Sequence, residues 1–170
     1  MIIRSFAPIE VPNARILILG SMPGVESLRK GEYYAHPRNL FWRILGSLHD
    51  FNPAISYAER VEALGVAKIS VWDVLQSCTR QGSLDADIEK SSIVPNDFNA
   101  FFKRQSNITH VFFNGSVAEG IYRSKVLPGL STQSLQYTLL PSTSPAHAAK
   151  SFDEKLAAWR AILFFDNNFS

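Results

Sequence analysis

Arg15-Ile16-Leu17-Ile18-Leu19-Gly20 is an unbroken aliphatic run that closes on glycine. A strand with one wet face would alternate apolar and polar residues, so this run predicts a central parallel strand buried on both sides. Parallel neighbours need long crossover connections. Working outward, Val66 to Val71 before Trp72-Asp73, Thr109 to Phe113 before Asn114-Gly115, and Gln136 to Leu140 before Pro141 are three more short apolar runs. Each ends in a polar or turn-forming residue. Between them apolar residues recur at helical intervals: Tyr57, Val61 and Leu64, then Phe98, Phe101 and Phe102, then Val117, Ile121 and Tyr122. Ser151 stands three residues before Glu154, a capping-box spacing, and Phe152, Leu156, Trp159, Ile162 and Leu163 follow on one helical face. Strands alternating with helices predict an α/β fold: an open parallel sheet with helices on both faces and right-handed connections. The stretch from Ser77 to Pro95 reads as a long polar loop.

The chain has 170 residues, room for one domain spanning 1–170. Its hydrophobic share of 46% excludes a disordered chain. A net charge of +2 gives no general cationic field, so any nucleic-acid site must be local. The single cysteine, Cys78, can form neither an internal disulfide nor a cysteine-rich metal site, and a small buried residue is expected there. The longest apolar runs, Ile16 to Leu19 and Ala161 to Phe165, are far below the roughly 20 residues of a membrane span. No basic segment with a long apolar core opens the chain. A soluble intracellular protein is therefore expected, with no membrane partner.

In an open α/β sheet, ligands bind beyond the carboxyl ends of the strands. That rule brings four segments to one cleft: Gly20-Ser21-Met22-Pro23-Gly24, Trp72-Asp73, Asn114-Gly115-Ser116, and Pro141-Ser142-Thr143-Ser144-Pro145-Ala146-His147. Glycine and proline set tight turns there, leaving hydroxyls and backbone N–H groups free to meet phosphate oxygens. Ordinary turn chemistry would use the same residues. Neither GxxxxGK[ST] nor GxGxxG occurs, so a P-loop or dinucleotide site has no support.

Tyr33-Tyr34-Ala35-His36-Pro37-Arg38-Asn39-Leu40-Phe41-Trp42 gathers aromatics, an amide and cationic groups within ten residues. Phe41 and Trp42 lead into a helical pattern through Ile44, Leu45 and Leu48 and read as core. Tyr33 and Tyr34 precede a proline turn, where a ring could stack on a nucleobase. The histidines, at 36, 49, 110 and 147, fall in no HExxH or carboxylate set, so no metal site is expected. His110 reads as the cap of a strand, and His147 as the histidine closest to a substrate.

Together, Gly20 to Gly24, Tyr33 to Asn39 with Phe41-Trp42, and Pro141 to His147 resemble the motifs of the uracil-DNA glycosylase superfamily. More narrowly, they resemble those of the hypoxanthine (deoxyinosine) DNA glycosylase family. The resemblance runs from the first strand to Ile162, through Trp72-Asp73-Val74-Leu75 and Phe112-Phe113-Asn114-Gly115. It implies a single-domain three-layer αβα sandwich with a central four-stranded parallel sheet. It also implies a monofunctional glycosylase that hydrolyses the base–deoxyribose bond of a base flipped out of DNA, without cofactor or metal. The partner is then DNA containing deaminated bases, met by a monomer in the cytoplasm, at the nucleoid of a prokaryote.

The resemblance also implies site residues. Many relatives carry Asp or Asn where this chain has Met22, and within the hypoxanthine family the catalytic role falls to the asparagine of His-Pro-Arg-Asn, here Asn39. An amide is too weak a base to take a proton, but its carbonyl can fix the line of an attacking water. Tyr34 is expected to stack on the flipped base, with Tyr33 as the nearby fallback. Asp73 is expected to accept from the N1–H of hypoxanthine, with Met22 and Asn114 lining the same pocket. Ser21, Ser142 and Ser144 are expected at the flanking phosphates, and Pro145 and His147 near the gap in the duplex. Ser142 stands where relatives often carry His or Asn, and is a weaker electrostatic partner. The rivals are a glycosylase preferring uracil or xanthine, a serine-dependent hydrolase, and an inactive DNA-binding domain.

Overall fold

The computed structural model describes residues 1–131 and 134–164. Among the described residues are seven strands: β1 (Ile2–Arg4), β2 (Ile16–Gly20), β3 (Ile69–Asp73), β4 (Leu75–Thr79), β5 (Val94–Pro95), β6 (His110–Asn114) and β7 (Gln136–Leu140). The helices are α1 (Val25–Lys30), α2 (Phe41–His49), α3 (Tyr57–Val66), α4 (Phe98–Arg104), α5 (Ser116–Ile121), α6 (Phe152–Trp159) and α7 (Ala161–Phe164). Phe165, last in the C-terminal apolar run, lies outside the described residues.

Four strands form one parallel sheet in the order β3-β2-β6-β7. The run that opened the sequence reading is the inner strand β2, every residue of it buried. Its side chains alternate between two cores, as the pleat requires. Leu17 and Leu19 meet Phe98, Phe101 and Phe102 of α4 and Ala118 of α5. Ile16 and Ile18 meet Phe41, Trp42, Ile44 and Leu45 of α2, Leu64 of α3, Trp159 of α6 and Ile162 of α7. Helices thus cover both faces, giving the three-layer α/β sandwich.

Helix ends follow their sequence signals. Ser151 and Glu154 form the expected reciprocal capping box, and Ser56 with Glu59 forms another at the start of α3. The helical pattern from Phe152 onward breaks at Arg160 into α6 and α7.

Two expectations need correction. Val66 does not begin a strand but ends α3, 87% exposed, and Lys68 at φ 60° turns the chain before β3 starts at Ile69. Trp72 and Asp73 therefore lie inside that strand. The stretch from Ser77 to Pro95 is not one loop either. It holds the end of β4, two 3-10 turns and β5, and β4 sits between β1 and β5 in a small antiparallel sheet. Cys78 is buried there with Met22, Leu75 and Ile88, which tie this sheet to the loop after β2. Among the described residues no helix is long and apolar enough to cross a membrane.

Candidate active site

A cleft of about 640 Å³ opens beyond the carboxyl ends of β2, β3, β6 and β7. All ten residues singled out in the sequence, Met22, Tyr34, Asn39, Asp73, Asn114, Ser21, Ser142, Ser144, Pro145 and His147, line it. Another hollow, of about 600 Å³, lies at the opposite strand ends among Asn13, Arg15, Lys68, Ser106, Asn107 and Thr109. It offers neither a carboxylate nor an aromatic ring, so the chemistry belongs to the first.

The floor is built around Gly20. A Cβ added there would lie 2.6 Å from Asp73 Oδ1 and 2.9 Å from the Tyr34 hydroxyl. Only glycine lets both polar groups crowd the end of β2. Asp73 is 3% exposed, and its Oδ2 atom and the Tyr34 hydroxyl have no hydrogen-bond partner among the described residues. A buried polar group without a partner is costly unless something is meant to occupy it. Burial pushes the Asp73 carboxyl up to about 7, with Asp85 adding to the rise and Arg80 opposing it. Burial and the nearby Asp73 hold the Tyr34 phenol well above its ordinary range, against the pull of the Asn114 amide.

Tyr34 sits in the left-handed region at φ 56°, and its ring stacks on Phe41 with centroids 4.1 Å apart. One ring face is therefore taken, leaving the other side to meet a ligand. Tyr33 is a core residue instead. Its hydroxyl donates to the Ala7 carbonyl and its carbonyl accepts from Trp42 Nε1.

Asn39 closes a turn in which its N–H donates to the His36 carbonyl at 2.9 Å, and its Oδ1 accepts the Phe41 N–H at 3.0 Å. The amide is thereby oriented, with a second lone pair of Oδ1 left over. The Leu40 N–H donates to the Thr143 carbonyl at 3.0 Å, joining this turn to the loop after β7. Thr143 in turn holds Asn114: its hydroxyl accepts from Asn114 Nδ2 and its N–H donates to Asn114 Oδ1. Asn114 lines the cleft, and these two bonds commit one of its N–H groups and its Oδ1 to shaping the wall.

The two serine loops divide. Ser142 Oγ accepts the Ser144 N–H at 3.1 Å and Ser144 Oγ accepts the Ala146 N–H at 3.2 Å, so each hydroxyl hydrogen remains free to donate outward. Neither hydroxyl bonds to a histidine among the described residues, which leaves a serine nucleophile without its base. The loop is fastened from below by Lys155, 2% exposed, whose Nζ donates to the His147 carbonyl at 2.6 Å. Ser21 behaves differently from expectation: its hydroxyl donates to Asp85 Oδ1 at 2.6 Å. A donor already given to a carboxylate has none to offer a phosphate.

Asp85 in the cleft wall, and Arg80 buried behind it, are residues that the sequence did not point to. Arg80 is 3% exposed, and its guanidinium donates to the carbonyls of Pro23 and Gly82. Ser83 Oγ accepts the Val25 N–H. These bonds strap residues 80–85 against the loop after β2. Burial pushes the Asp85 carboxyl up, while the Ser21 hydrogen bond and the Arg80 charge pull it down. Among the described residues, no group of three or more metal-binding side chains is placed to hold an ion.

The model of the uracil DNA glycosylase superfamily matches residues 8–163. The hypoxanthine DNA glycosylase of Methanosarcina barkeri is 37% identical over 158 residues, covering 92% of this chain and 94% of that protein. The hypoxanthine DNA glycosylase of Methanosarcina acetivorans is 34% identical over 163 residues, covering 95% and 98%. A solution NMR structure from M. acetivorans, assigned as a uracil DNA glycosylase, superposes with a TM-score of 0.78 at 34% identity, covering 96% of this chain and 99% of that one.

Proposed function

The chain belongs to the uracil DNA glycosylase superfamily, and on that footing we propose that it excises deaminated bases, hypoxanthine foremost, from DNA. It hydrolyses the N-glycosidic bond and leaves an abasic site. The observation that carries the choice of base is Asp73, whose Oδ2 atom is buried without a partner at the cleft floor. Hypoxanthine presents an N1–H to such an oxygen. To the ionised carboxylate, the form that prevails above about pH 7, neutral adenine presents a lone pair, so the normal base leaves the oxygen unsatisfied, and unpaired buried groups discriminate strongly.

Each group then has a task. The flipped base lies beside Tyr34, opposite its Phe41-stacked face, and against the Met22 side chain. Asn39 Oδ1, aimed by the Phe41 N–H, accepts from a water and sets its line toward the anomeric carbon. Ser142 and Ser144 donate to phosphates flanking the lesion, and Pro145 and His147 face the gap left in the duplex. Asn114 acts as a positioning residue, holding the loop that holds Asn39's turn. All the groups given a task come from one chain, which supports action as a monomer, and the DNA it meets is proposed to be that of the nucleoid.

The test is a set of labelled duplexes, each with one deoxyinosine, deoxyuridine, deoxyxanthosine or mispaired thymidine, incubated with the protein and then cleaved with alkali. The expected outcome is a break at the lesion, fastest for deoxyinosine. A ranking led by uracil or xanthine would replace the substrate, and intact strands throughout would overturn the proposal.

A further inference from the structure

We infer that Asp85 is a catalytic residue of this cleft, its carboxylate facing the deoxyribose and stabilising the positive charge that grows there as the base departs. The inference rests on the glycosylase reading above. When the C1′–N bond breaks, its electron pair leaves with the base, and the sugar takes on oxocarbenium character shared between C1′ and O4′. Water adds its oxygen to C1′, and the proton it sheds balances the one the base takes up. The protein has most to gain from a fixed negative charge beside the sugar, as carboxylates supply in glycoside hydrolysis generally.

Among the described residues, three carboxylates line the cleft. Glu26 is paired with Arg29 at 2.9 Å on the exposed side of α1. Asp73 lies at the buried floor beside Tyr34, where the base must go, and cannot face the sugar as well. Asp85 remains, half-buried in the wall at the start of a 3-10 turn. Its Oδ1 is fixed by the Ser21 hydroxyl, one residue from the end of β2 and next to Met22. No hydrogen bond from a described residue claims its Oδ2.

A negative charge in a site that must receive a phosphodiester weakens binding, so its presence calls for a gain elsewhere. The strap formed by Arg80, Ser83 and Asp85 keeps that charge from swinging into solvent. The competing explanation is mechanical: Asp85 as a mere latch for the loop after β2. The two differ in what asparagine does, because Asp85→Asn keeps an oxygen for Ser21 and loses the charge.

The experiment compares wild type, Asp85→Asn, Asp85→Glu and Ser21→Ala for single-turnover release of hypoxanthine. It also compares their affinity for duplexes with a neutral tetrahydrofuran or a cationic pyrrolidine in place of the lesion sugar. A charge role predicts that Asp85→Asn loses at least about 100-fold in release. It also predicts unchanged or tighter tetrahydrofuran binding and a preference for pyrrolidine that shrinks by about tenfold or more. Asp85→Glu recovers part of both, and Ser21→Ala, which breaks the latch and spares the charge, keeps the preference. Active wild type with Asp85→Asn within about threefold of it, or with its pyrrolidine preference intact, overturns this inference alone. Ser21→Ala losing the preference as fully as Asp85→Asn overturns it too, in favour of the latch. Inactive wild type would overturn the glycosylase reading first and this inference with it.

Discussion

Asn114 and Thr143 hold each other by two reciprocal hydrogen bonds of 2.9 Å, side chain to side chain and side chain to backbone. The pair joins the end of β6 to the loop after β7, and Thr143 passes the constraint on through its carbonyl to Leu40 N–H. The Asn39 amide, which we propose aims the water, is thus placed by two residues that need not touch a base. Thr143→Val keeps the shape and removes the acceptor for Asn114 Nδ2. It is expected to cost about 1–3 kcal/mol of stability in urea denaturation, the range for stranding a buried donor. Release of hypoxanthine should slow as well, with duplex affinity retained.

Asn39→Ala should lower single-turnover excision by at least about 100-fold, since orientation of water is lost altogether. It also strands the Phe41 N–H, a loss of about 1 kcal/mol of the kind seen when a helix start loses its side-chain acceptor. Thermal melting in parallel with kinetics separates the two effects. Near-normal excision by a folded variant would remove Asn39 from the chemistry.

Gly20→Ala tests the floor. The new methyl would collide with Asp73 Oδ1 and the Tyr34 hydroxyl, both short of room and buried. The chain should still fold, because φ at this position is not in the left-handed range, but Asp73 and Tyr34, the groups proposed to meet the base, must move apart. Discrimination between deoxyinosine and deoxyadenosine in competition assays is expected to fall before duplex binding does.

Asp73 gives stability a pH dependence of unusual sign. Its carboxyl titrates at about 7 in the folded chain against an ordinary 3.8, so between those values the folded state holds a proton the unfolded state has lost. Stability from this group therefore falls as pH rises from about 4 to about 7 and is level above. The full span is on the order of 4 kcal/mol, at about 1.4 kcal/mol per pH unit. Asp73→Asn should lack that fall, so urea midpoints of variant and wild type diverge across this window. Parallel curves would show that Asp73 is not held protonated by burial.

Lys150 is exposed at the cleft rim, beyond the serine loop. If it neutralises one phosphate, Lys150→Ala should reduce the slope of log affinity against log salt by about 0.9. Excision at saturating protein should hold. Wild-type affinity that ignores salt would argue against a phosphodiester ligand.

The parallel sheet is legible in the chain because β2 and β6 are apolar runs buried on both faces and ending in turn residues, and the edge strand β7, though Gln136 and Leu139 are exposed, repeats the run before Pro141. The start of β3 was misplaced because Val66 continues the apolar pattern while belonging to a helix end that faces solvent. The small sheet left no such trace. Its β1 and β5 span three and two residues, and Leu-Gln-Ser-Cys-Thr of β4 has no clean alternation, so backbone pairing alone defines it. The ten expected residues gathered in one cleft because strand ends and their loops must meet there. Asp85 escaped notice since its bond to Ser21 spans 64 positions and rests on Arg80, a buried cation in a segment that looked merely polar.

Arg80 has a last consequence. A guanidinium buried behind the cleft and bonded to main-chain carbonyls from two loops braces this wall of the receptacle without help from a ligand. The deformation needed for capture then falls on the nucleic acid. How often a given pair breathes open, rather than how readily the protein reshapes itself, should govern which lesions are found first.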